Sequence, residues 1–186
     1  MKQLHNCNSY DQAGFNLLEV LITLLTLAFG LIGLASLQTK IQVTNAEFFQ
    51  RAQALLLVQD MANLLSTNKS NGASYVTGAA TLGTGDNQPA NCAALSGAQK
   101  DQCEWSNALK GAAEKQNAMS LGAMTSARGC IEQISANPAV YRISVAWQGM
   151  TELAVPSMSC GQNLYGNDGY RRTIANLVSA SNLTAP

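Results

Sequence analysis

Charged side chains are scarce in this chain. Asp, Glu, Lys and Arg make up 12% of its 186 residues, about half the usual share of roughly 25%. The 11 basic and 11 acidic residues cancel, so no long-range field gathers polyanions or polycations. Histidine is rarer still, with His5 alone. Beyond it the common Ser-His and Cys-His nucleophile pairs are excluded, and no enzymatic activity is expected. No two cysteines stand at metal-knuckle spacing, so neither a zinc site nor any other cofactor is expected. Proline is absent before Pro89, so nothing ahead of it interrupts a helix.

What is present is a long apolar run. From Phe15 to Leu37, 16 of 23 residues are apolar, two more are Gly, and the only charge is Glu19. A bilayer core of about 30 Å needs about 20 helical residues, so the run is long enough to span. The residues before it are polar, with Lys2, His5 and Asp11, and end in Ala13-Gly14. A secretory signal peptide carries its small-residue cleavage site after the apolar segment. Here the small residues precede it and no Ala-x-Ala follows Leu37, so the apolar segment is expected to be retained.

These residues resemble the prepilin signature of the type IV pilin family. Gly14-Phe15-Asn16-Leu17-Leu18-Glu19-Val20-Leu21 is similar to a Gly-Phe junction followed by a Thr-Leu-Ile/Leu-Glu run, with Asn16 where threonine is usual. The leader, with Asp11 and a single Lys, is less basic than is usual. Phe29 to Gln38 is similar to a stretch of PilV-type minor pilins. The resemblance implies cleavage between Gly14 and Phe15 by a prepilin peptidase and N-methylation of Phe15. It also implies that Glu19, the fifth residue after the cut, faces a charged Phe15 amine and sets subunit register. The implied partners are other pilin subunits, the peptidase, an inner-membrane assembly platform and the membrane itself. Pilus assembly, adhesion and twitching motility are the implied roles. A pseudopilin of a type II secretion system and a DNA-binding competence pilin remain alternatives.

Gly30 and Gly33 each cost a helix roughly 1 kcal/mol relative to Ala. Small residues also let helices approach closely in membranes, so packing or flexibility is expected of this pair. After Leu37 the helical pattern continues, with Ile41, Phe48, Ala52, Leu55, Val58, Ala62 and Leu65 tracing one apolar face. The expected divisions are a leader at 1–14, a membrane or filament-core helix at 15–37, its amphipathic continuation at 38–66, and a globular head at 67–186.

Within the head, residues 68–97 read as a long loop. A second helix is expected over Ser96–Gln116 and strands over Gly129–Ile134, Ala139–Trp147, Thr151–Val155 and Tyr170–Val178, with Asn137-Pro138 as a turn. Short strands after a long helix argue an α+β fold, an antiparallel sheet packed on the helix. Beyond Cys7, the cysteines Cys92, Cys103, Cys130 and Cys160 admit three pairings. Cys92–Cys103 is expected because it closes the loop onto the second helix, and Cys130–Cys160 because it clamps the sheet. Gly166-Asn167-Asp168-Gly169 offers too few oxygens for calcium and reads as a turn. Tyr170, Arg171 and Arg172, joined by Arg142, are the nearest approach to a nucleic-acid patch, and a weak one at zero net charge.

Overall fold

The computed structural model describes residues 17–112, 115–116, 119–120 and 124–180. Helix α1 runs from Leu17 to Thr67 without a break, as the absence of proline and the continuous apolar content dictate. A 3-10 turn follows at Lys69–Tyr75, then strand β1 (Leu82–Gly83), helix α2 (Gly97–Leu109), the short strands β2 (Lys115–Gln116) and β3 (Met119–Ser120), β4 (Arg128–Ala136), β5 (Ala139–Gln148) and β6 (Arg171–Ser179). The chain divides into two compact units, Met1–Val43 and Thr44–Pro186.

In the first unit the described residues are helical and none is buried. Three of its hydroxyls are satisfied locally. The hydroxyls of Thr23, Thr26 and Thr39 donate to the carbonyls of Val20, Thr23 and Ala35 at 2.9, 2.9 and 3.1 Å. Threonine hydroxyls satisfied by their own helix suit apolar surroundings, where an unmet polar group costs several kcal/mol. By length and composition this is one helix able to cross a membrane.

The second unit is α+β. Its larger sheet is antiparallel in the order β1-β4-β5-β6. Alternation along β5 sends Tyr141, Ile143, Val145 and Trp147 into the main core. There they join Ala54, Val58, Met61, Ala62 and Leu65 of α1 with Trp105 and Leu109 of α2. The opposite sheet face carries a smaller cluster, Cys130, Ala146, Cys160 and Tyr165. The Trp105 indole donates to the Leu57 carbonyl at 2.9 Å, which fixes α2 against α1. The Trp105 ring lies so close to Gly129 that a Cβ there would collide with it, so β4 carries its glycine where α2 crosses.

Four expectations need correction. The helix expected to reach Gln116 ends at Leu109. Gly111 takes a positive φ of 78°, with Gly111 N–H donating to Ala108 O and Ala112 N–H to Asn107 O. This is the Schellman closure that favours glycine. Thr151–Val155 forms no strand. Its neighbourhood is held by single bonds, Leu153 N–H to Gly169 O at 2.8 Å and Thr151 O accepting from Arg172 at 2.6 Å, and not by a ladder.

The long loop at 68–97 contains the 3-10 turn and β1, which pairs with β4 at Gly129 and Arg128. The apolar face of α1 is also displaced. Val58, Ala62 and Leu65 are buried as expected, but the face turned to the sheet continues through Met61 and Ala54, leaving Phe48, Ala52 and Leu55 exposed. Apolar residues occupy more than one side of this helix, so spacing alone did not pick the covered one. The hairpin at Asn137-Pro138 forms, through a cis peptide.

Candidate assembly surface

The longest apolar surface of the first unit has no polar edge. No charge stands between Glu19 and Lys40, and Leu21, Leu25, Phe29, Ile32 and Leu34 are all exposed. A helix that is apolar all round requires an apolar environment on every side. Glu19 is exposed, with no ion-pair partner among the described residues. Gly30 and Gly33 lie in continuous helix, and beyond the adjoining helix backbone no atom of the described residues comes within 4 Å of where a Cβ would stand at either. Packing within the chain therefore does not require their smallness. The Gly14–Phe15 junction lies outside the described residues.

In the second unit α1 covers the sheet with one side and leaves a second apolar stripe uncovered. Phe48 is 74% exposed and Leu56 65%, with Phe49 and Leu55 beside them. The stripe follows from the sequence Glu47-Phe48-Phe49 and Leu55-Leu56-Leu57. Paired apolar residues on a helix point about 100° apart, so one sheet cannot bury both members.

Glu47 ties the helix to the loop after β5. Its Oε1 accepts from the Met150 N–H at 2.9 Å, the Thr151 N–H at 3.2 Å and the Thr151 hydroxyl at 3.1 Å, with Arg172 Nη2 at 3.3 Å. Burial pushes its carboxyl up, but these donors and the Arg172 charge together hold it below the usual carboxylate range. This cage was not read from the sequence, since its members lie more than 100 positions apart.

Asp86 plays the same part between loop and α2. It accepts from Ser106 at 2.6 Å, Gly83 N–H at 2.9 Å and Gln88 N–H at 3.3 Å, and pairs with Lys110. Burial raises its carboxyl and the bonds from Lys110, Ser106, Gly83 and Gln88 outweigh it, leaving it below the usual range. The sulfurs of Cys92 and Cys103 stand at bonding distance, 1.94 Å, and those of Cys130 and Cys160 at 2.06 Å. The first pair fastens the loop to α2, the second the loop before β6 to β4.

The arginines of the candidate nucleic-acid patch are occupied. Arg171 is 1% exposed, donates to the carbonyls of Met158, Cys160 and Pro156, and pairs with Asp168 at 3.1 Å. Arg172 turns to Glu47 and the loop, and Arg142 pairs with Glu132 across the β4–β5 ladder. Asp168 also accepts from the Asn163 N–H at 2.9 Å, so the 166–169 segment is a turn whose carboxylate is engaged by its own chain. Among the described residues no group of three or more His, Cys, Asp and Glu gathers to hold a metal.

No protein-family model, no curated protein and no solved structure matches the chain.

Proposed function

We propose that the chain is a minor pilin subunit of a type IV pilus with a structural role and no catalysis. In this reading it is cleaved after Gly14, N-methylated at Phe15, anchored by α1 in the inner membrane with its head in the periplasm, and later built into a filament. Pilus assembly, adhesion and twitching motility are the processes it would serve.

One observation carries the proposal. The apolar surface of α1 continues past Lys40 as the stripe Phe49, Leu55 and Leu56 on the second unit, although the uncharged run ending at Thr39 already gives about 30 Å of helix. A bilayer accounts for the first part alone, whereas sister helices account for both. Glu19, with no partner among the described residues, then meets a neighbouring Phe15 amine, and Gly30 and Gly33, free of contacts within the chain, meet neighbouring helices.

Mass spectrometry of membrane-extracted protein tests the processing: the expected mature form begins at a methylated Phe15, and any other start ends this reading. Deleting the gene separates the alternatives. Lost surface pili support a pilus role, lost exoprotein export a secretion pseudopilin, and lost transformation with pili intact a competence pilin. The competence reading has the least support, since Arg171 is buried and Arg172 and Arg142 are paired within the chain.

A further inference from the structure

A cleft of about 280 Å³ opens in the second unit between α1 and the loop after β5. Phe48 and Leu153 form apolar walls, and both are largely exposed. Glu47, Arg51 and Arg172 supply its charges, and Trp147 lines it as well. Arg172 is matched by Glu47 at 3.3 Å. Arg51 has no ion-pair or hydrogen-bond partner among the described residues, so the cleft carries one uncompensated positive charge. Trp147 is only 4% exposed, and its indole N–H is buried with no acceptor among the described residues. A buried donor without an acceptor is unfavourable, and such groups in native proteins call for an explanation.

One free cation and apolar walls together define a ligand with an anionic oxygen on an apolar stem. We infer that this cleft binds the headgroup of a monoanionic membrane phospholipid, with its phosphate toward Arg51 and the Trp147 indole and its stem along Phe48 and Leu153. The charge balance favours this occupant, because a single negative charge neutralises the cleft, while a zwitterionic lipid leaves it unbalanced. Supply favours it too. Phe48 lies eight positions after Lys40, the charge that ends the candidate span, and so within about 28 Å of it along any chain path. Glu152, beside Leu153, does not line the cleft and turns to Asn167, from which it accepts at 2.8 Å. The inference needs a membrane-resident chain but no pilus.

The test uses the full chain in neutral detergent with its two tryptophans labelled at the indole nitrogen, read by NMR. Trp105, already bonded to Leu57 O at 2.9 Å, serves as the internal control. Phosphatidylglycerol is expected to move the Trp147 indole signal and leave that of Trp105. Arg51→Gln, at an exposed and unpaired site, should weaken the response about tenfold, as loss of a charge-assisted contact does. Leu153→Asn should weaken it while leaving the lipid-free spectrum in place. Any of four results overturns the inference: an equal response to phosphatidylcholine, an unchanged response in Arg51→Gln, no movement of Trp147, or movement by inorganic phosphate as large as that by lipid. The last would make the cleft a site for free anions.

Discussion

One helix serves two regimes. Between Leu17 and Val43 it buries nothing and answers its threonine hydroxyls from its own backbone. Between Thr44 and Thr67 it buries Ala54, Val58, Met61, Ala62 and Leu65 and answers loops through Glu47. The same residue type therefore means different things along its length. A leucine in the first stretch contributes through whatever medium surrounds it, and a leucine in the second through atoms of its own chain. Polar groups differ as well: the threonine hydroxyls of the first stretch bond three or four residues back, whereas Glu47 in the second reaches partners more than 100 positions away.

The comparison is most sharply tested at Glu19. If the proposed pilus role holds, Glu19→Ala should leave thermal unfolding of the head unchanged and reduce incorporation into surface filaments by at least about tenfold, since an ion left unpaired in apolar surroundings is penalised by several kcal/mol. Immunogold counting of pili against membrane-fraction blots measures both.

Next comes Leu65→Ala, expected to cost about 2–5 kcal/mol of head stability, against no measurable change for Leu25→Ala. Equal effects in chemical denaturation would erase the distinction between the two stretches. Replacing Cys130 and Cys160 together by serine should cost about 3–4 kcal/mol, because the loop between them spans 30 positions. Reducing and non-reducing melts of the wild type should differ in the same direction.

Smaller effects follow from Glu47. Its carboxyl lies below the usual range in the folded chain, so its contribution is complete above the unfolded value of about 4.3 and is lost as pH falls through the lower folded value. Glu47→Gln should therefore flatten the fall in stability on acidification. An unchanged slope in pH-dependent unfolding would remove Glu47 from the link between α1 and the loop. Smallest of all is the exposed Lys100–Glu104 pair at 3.8 Å, where Lys100→Ala should shift stability by less than about 0.5 kcal/mol.

Much of the fold was legible where local chemistry decides it. The long helix follows from continuous apolar content without proline, and β5 from the alternation of Tyr141, Ile143, Val145 and Trp147. What escaped depends on distant partners. Thr151–Val155 has strand-forming residues, yet Glu47 and Arg172 take the Met150–Thr151 backbone groups before a ladder can form. The covered side of α1 was missed because Phe48, Leu55 and Leu56 are as apolar as Val58 and Leu65, and only the sheet's position separates them. Arg171 reads as a surface cation in sequence, but the carbonyls of Pro156, Met158 and Cys160 converge on it. Of the candidate site, Glu19 and the glycines stood out as anomalies in an apolar run, whereas the Glu47 cage left no local trace.

The three threonine hydroxyls of the first stretch carry a consequence for motion. Because each is bonded to a carbonyl three or four residues back, no partner has to be found when the medium changes from one greasy surrounding to another. Such a segment is portable. It can pass from one apolar surrounding to another with these three bonds intact, whereas the Glu19 carboxylate, its one charge before Lys40, must find a new companion at the destination.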